Sequence, residues 1–76
     1  MITNGLDNVT FNSLLTFNEN LIVLSFTDSD GVFSVHIGQD ERQAFLDLGE
    51  TYDATEQAER FLLTRPDYAG YSYVDG

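Results

Sequence analysis

The chain has no cysteine, no lysine and no tryptophan, and only one histidine, one proline and three arginines in 76 residues. Without cysteine there is no disulfide framework, thiolate nucleophile or zinc–thiolate centre. A single histidine rules out a His-rich metal site. Three cations cannot neutralise a phosphate backbone or an anionic membrane, because both are bound through clustered Lys and Arg. No stretch approaches the ~20 apolar residues of a membrane span. The start, Met1-Ile2-Thr3-Asn4-Gly5, lacks the basic residues and apolar run of a signal peptide, so the expected setting is the cytoplasm.

What is present is acid. Thirteen Asp and Glu give a formal charge of −10 and a pI near 4.1. High charge with low hydrophobicity would leave the chain unable to offset its conformational entropy. Here 42% of residues are hydrophobic, with six Phe and four Tyr, so a folded domain is expected. The length sets one domain, of a size at which a single core gives marginal stability. No repeat, linker or low-complexity tract divides it.

Periodicity supplies the elements. Leu21 to Phe26 and Val32 to Ile37 are β-rich runs flanking the turn formers Thr27-Asp28-Ser29-Asp30-Gly31, which predicts a β-hairpin. Alternation places Ile22, Leu24 and Phe26 on one face with Phe33, Val35 and Ile37, leaving Ser34 and His36 on the other. Upstream, Val9 and Phe11, then Leu15 and Phe17, keep a two-residue period. Residues 6–17 are read as a further strand, with a helix as the alternative that the Asn, Thr and Ser content disfavours.

After Gly38 the period changes. Asp40 and Glu41 open a helix at the end where the macrodipole favours acids, and Phe45, Leu48 and Tyr52 form its apolar stripe. Gly49 interrupts it. Asp53-Ala54-Thr55-Glu56 restarts a second helix, with Asp53 as N-cap and Glu56 reaching back as in a capping box. That helix turns Ala58, Phe61 and Leu62 inward and stops at Arg65-Pro66. Tyr68 to Val74 reads as a last short strand. The expected fold is α+β: a small antiparallel sheet of three to four strands packed against two helices.

Catalytic signatures are missing. Ser25 and Ser34 lack a nucleophile-elbow pattern, and no orienting acid can be assigned to His36, so the expectation is a non-enzyme without a cofactor or metal. Asp28-Ser29-Asp30-Gly31-Val32-Phe33 resembles the middle of an EF-hand loop, but the loop's first and last ligand positions would fall on Phe26 and Ile37, which cannot coordinate calcium. A hairpin turn explains those residues better.

The acids carry information through spacing. Asp40, Gln43, Asp47 and Glu50 recur at helical steps away from the apolar stripe, the next helix adds Asp53, Glu56 and Glu59, and the hairpin turn adds Asp28 and Asp30. Such a row either keeps the surface solvated or imitates phosphates to engage Lys and Arg of a partner. Tyr71 and Tyr73 share one strand face, where they either close the core or serve as binding anchors.

A very short, extremely acidic α+β chain without catalytic residues resembles the small phage-encoded inhibitor class that includes DNA mimics and anti-CRISPR proteins. Asp53-Ala54-Thr55-Glu56-Gln57 is similar to a segment in some type I anti-CRISPRs. The resemblance implies a stoichiometric inhibitor bound to a basic, nucleic-acid-handling host protein such as a CRISPR effector, with no direct contact to nucleic acid or membrane. Its expected contact residues are Asp28, Asp30, Asp40, Asp47, Glu50, Asp53, Glu56, Glu59, Tyr71 and Tyr73. A homodimer through an edge strand fits the same sequence. The alternative is an ordinary salt- or solubility-adapted domain, such as a small phage structural or accessory protein.

Overall fold

Residues Ile22–Asp28 and Gly31–Ile37 form the expected hairpin, here β3 and β4, paired in unbroken antiparallel register from Ile22 opposite Ile37 to Asp28 opposite Gly31. Gly31 takes φ +125°, a backbone region that side chains disfavour, which is why glycine closes this turn. The computed structural model describes residues 1–75. Around the hairpin it adds β1 (Ile2–Thr3), β2 (Asn8–Phe17), β5 (Ser72–Tyr73) and two helices, α1 (Gln39–Leu48) and α2 (Ala54–Leu62). The five strands make one antiparallel sheet in the order β4-β3-β2-β1-β5.

The class is α+β as expected, with one strand more than the three to four read from the sequence. The extra strand is β1, whose two residues pair with Asn8 and Val9 on one side and with Ser72 and Tyr73 on the other. Residues 8–17 are strand throughout, which settles the choice between strand and helix in that segment.

One face of the sheet supplies the core. Ile2, Val9, Ile22, Leu24, Phe26, Val35 and Ile37 meet Phe45 of α1 and Ala58, Phe61 and Leu62 of α2. Phe26, Phe61 and Leu62 are completely excluded from solvent, and full burial of such side chains contributes about 1.5–3 kcal/mol each. Phe26 touches Phe11 edge-on and Phe33 in a stack, and Phe45 meets Phe61 edge-on. The opposite face is polar near its centre, where Asn12 bonds Ser25 and Thr27 across the strands.

β2 departs from the alternation read in the sequence. Its pairing to β3 shifts between Phe11 and Ser13 and again between Leu14 and Thr16, so Asn12 and Leu15 are extra residues in bulges. Phe11, Leu14 and Phe17 therefore lie opposite Phe26, Leu24 and Ile22. The core side of β2 has a spacing of three, and Leu14 takes the place that strict alternation assigned to Leu15.

Candidate interaction surface

The helices are positioned by local chemistry that also fixes their acids. Asp53 caps α2 by accepting the Glu56 N–H at 2.9 Å. Glu56 does not complete the expected capping box, because its carboxylate pairs with Arg60 one turn on, at 2.6 Å. Arg60 is pinned further between two rings, 4.4 Å from the Tyr52 centroid and 4.5 Å from that of Tyr73. Between the helices, the Gln57 side chain donates to the Phe45 carbonyl and lies against Gly49, where a Cβ would come within 2.6 Å of its nitrogen. Gly49 ends α1 at that point. Replacing Asp53 with alanine is expected to cost about 1 kcal/mol of stability by freeing one N–H of the first turn, measurable as a lowered urea midpoint.

Each expected contact residue can now be placed. Asp40, Asp47, Glu50 and Asp53 are exposed on α1, its C-terminal turn and the start of α2, with Asp47 held by Gln43 at 2.8 Å. Glu56 is half-buried against Arg60. Glu59 is a correction: it is 1% exposed and does not belong to the outward row. One carboxylate oxygen takes the Met1 amino group and the other accepts the Phe11 N–H at 2.9 Å. The buried charge is thus paired and hydrogen-bonded, as such a group must be. Sequence reasoning grouped it with its acidic neighbours, although its position beside Ala58 and three before Leu62 puts it at the border of the inward stripe.

Asp28 and Asp30 occupy the hairpin turn, where Asp28 accepts the Asp30 N–H at 2.9 Å. Asp40 lies beyond the other end of β4, so the seven residues of that strand, at ~3.3 Å each, separate the turn acids from the start of α1. The turn is tied down by Asp7, which accepts from the Ser29 backbone and hydroxyl and from the Tyr71 hydroxyl at 2.8 Å. These bonds, the Ser29 hydroxyl first, hold the Asp7 carboxyl below its usual range. Reciprocally, the Asp7 carboxylate pushes the Tyr71 phenol up to about 12. Asp7→Asn is expected to return the Tyr71 ionisation towards the ordinary value near 10, seen in an alkaline titration followed by phenolate absorbance.

Because folding depresses the Asp7 pKa, the stabilisation from its hydrogen bonds is fully present above the unfolded-state value. It is lost as the pH falls through the folded one. Tyr71 and Tyr73 are both half-buried and already engaged, one with Asp7 and the other with Arg60.

All three arginines, each half-buried, are engaged by groups of this chain. Arg65 bonds the His36 carbonyl and pairs with Glu41 at 2.9 Å. Arg42 donates to the Asn18 carbonyl and lies 5.1 Å over the Phe17 ring. Arg60 is held by Glu56, Tyr52 and Tyr73. Ion pairs reach only Glu41, Glu56 and Glu59, so ten of the thirteen carboxylates have no cationic partner among the described residues.

A second feature was not read from the sequence. Phe11, Leu14 and Phe17 of β2, Phe45 and Leu46 of α1 and Ala58 of α2 help to line an apolar groove of about 120 Å³. The three-residue spacing Phe11, Leu14, Phe17 is its sequence signal, visible once bulges are allowed. Among the described residues no helix is long and apolar enough to cross a membrane, and no three His, Asp or Glu side chains gather as a metal site. Comparison with protein-family models, curated proteins and solved structures found no match in any of the three.

Proposed function

We propose that this chain is a non-enzymatic inhibitor that binds a basic, nucleic-acid-handling protein in the cytoplasm and blocks nucleic-acid access by presenting carboxylates where phosphates would lie. One observation carries this reading. Every arginine is engaged by groups of this chain, while among the described residues ten carboxylates have no cationic partner. A surface of one sign repels nucleic acid, raises the association rate with a cationic cleft and disfavours partners of its own sign. Asp40, Asp47, Glu50 and Asp53, all exposed, would supply that complementarity. Resemblance to the anti-CRISPR and DNA-mimic class makes a CRISPR effector the leading partner. The direct test is retention of one nucleic-acid-binding protein from a bacterial lysate on the immobilised chain, followed by its release with duplex DNA.

The same uncompensated carboxylates also fit the salt-adapted alternative, and the two readings part at low salt. Screening extends over roughly 20 Å at ~20 mM salt against about 8 Å at physiological strength. A salt-adapted domain loses its circular dichroism there through self-repulsion. The inhibitor reading expects the far-ultraviolet signal to stay unchanged between ~20 mM and ~500 mM salt.

A further inference from the structure

The uncharged edge of β2 is the part of the molecule that the acidic row leaves unexplained. β1 pairs only with Asn8 and Val9, so from Thr10 onward β2 has one strand neighbour, β3. Glu59 takes the Phe11 N–H. Beyond it, five of the six residues from Asn12 to Phe17 are exposed. They include three large apolar side chains, Leu14 at 49%, Leu15 at 59% and Phe17 at 54%. Leu14 and Phe17 line the apolar groove. An accessible strand edge beside an apolar cavity has the parts needed to capture an extended segment by strand addition, with backbone bonds for affinity and the cavity for a side chain.

We propose that Asn12–Phe17 accepts a short, extended, cationic segment of the partner protein as an added strand, with one apolar side chain in the groove. This rests on the basic-partner reading above and adds how that partner is gripped. Charge selects the occupant. Thr10 to Phe17 contains no charged residue, whereas Glu19 follows the strand closely and Asp47 and Asp53 adjoin the lining residues Leu46 and Ala54. None of these three acids has a cationic partner among the described residues. Arg42 lies at the Phe17 end of the edge, where it donates to the Asn18 carbonyl and covers the Phe17 ring with no carboxylate partner among the described residues, so three acids stand against one cation there. A second copy would bring another chain of charge −10 against those carboxylates, while Lys or Arg of an added strand would neutralise them. The bulges at Asn12 and Leu15 bend the edge and bar long regular pairing, so the added strand is short.

The test titrates the isotopically labelled chain with a seven-residue peptide alternating lysine with valine or leucine, following backbone amides by NMR. A glutamate-for-lysine peptide is the control. The expected result is a set of shifts concentrated in Asn12 to Phe17 for the lysine peptide and none for the control. Affinity should weaken at least tenfold in Leu14→Arg, whose fold is checked by circular dichroism. Shifts confined to the acidic helical residues, with the Asn12–Phe17 amides unmoved, would overturn strand addition and leave the basic-partner reading standing. Equal binding of both peptides, or of neither, would overturn the proposal. So would a two-copy species in sedimentation whose Asn12–Phe17 amides are protected before peptide is added.

Discussion

Glu59→Ala is expected to lower stability by roughly 3 kcal/mol, because it leaves the Phe11 N–H without its acceptor and removes the ion pair to the Met1 amino group. The carboxylate between these two partners is 1% exposed. For a domain of this length, total stability is on the order of 4–11 kcal/mol. The loss thus removes a large share of it and should lower the melting temperature by about 12–24 °C. Glu59→Gln keeps the side-chain volume and one acceptor and should lose about half as much. Thermal melts of the two variants decide the matter. A Glu59→Ala protein that melts with the wild type would show that this carboxylate does not tie β2 and the amino terminus to α2.

Reversing both Asp47 and Glu50 to lysine is the second large effect, and it acts on binding instead of folding. Both side chains are exposed, and neither makes an ion pair among the described residues, so the fold should persist. Formal charge falls from −10 to about −6, concentrated where α1 ends. Electrostatic steering changes association rates by about 10- to 1,000-fold. The variant should therefore associate with the partner at least tenfold more slowly at low salt, with a smaller change in dissociation, and inhibition at physiological salt should be lost. Surface plasmon resonance across a salt series reads both rates. Wild-type kinetics in the double variant would remove the helical acids from the interface.

How far the sequence spoke for itself differs by element. The β3–β4 hairpin was legible because β4 alternates over a buried face, β3 is a β-rich run buried at every position from Ile22 to Phe26, and the turn residues between them leave little choice of register. The start of α2 was legible because Asp53 is a capping residue in a capping position. β1 was not, since two residues carry no period, and their pairing partners lie at opposite ends of the chain. β2 was half legible. Its strand character survived, but two bulges converted a spacing of two into one of three and hid Leu14.

Among the contact residues, an acid in a chain of thirteen acids says little about which way it points, so Glu59 was misplaced. The tyrosines were read as either core or anchors, and each is half-buried with an internal partner. What composition could not reveal was the fate of the arginines. Two of the three pair with partly exposed acids, Arg60 with Glu56 and Arg65 with Glu41, and Arg42 is held by the Asn18 carbonyl and the Phe17 ring, so among the described residues ten carboxylates are left without a cationic partner.

The measurement that tests this account most directly is capture of bacterial lysate proteins on the immobilised chain, with duplex DNA as eluent and the Asp47→Lys, Glu50→Lys variant as control. The expected result is that one nucleic-acid-binding protein is retained, that DNA releases it, and that the variant fails to hold it. Retention no greater than that of an unrelated acidic protein of equal charge would contradict it.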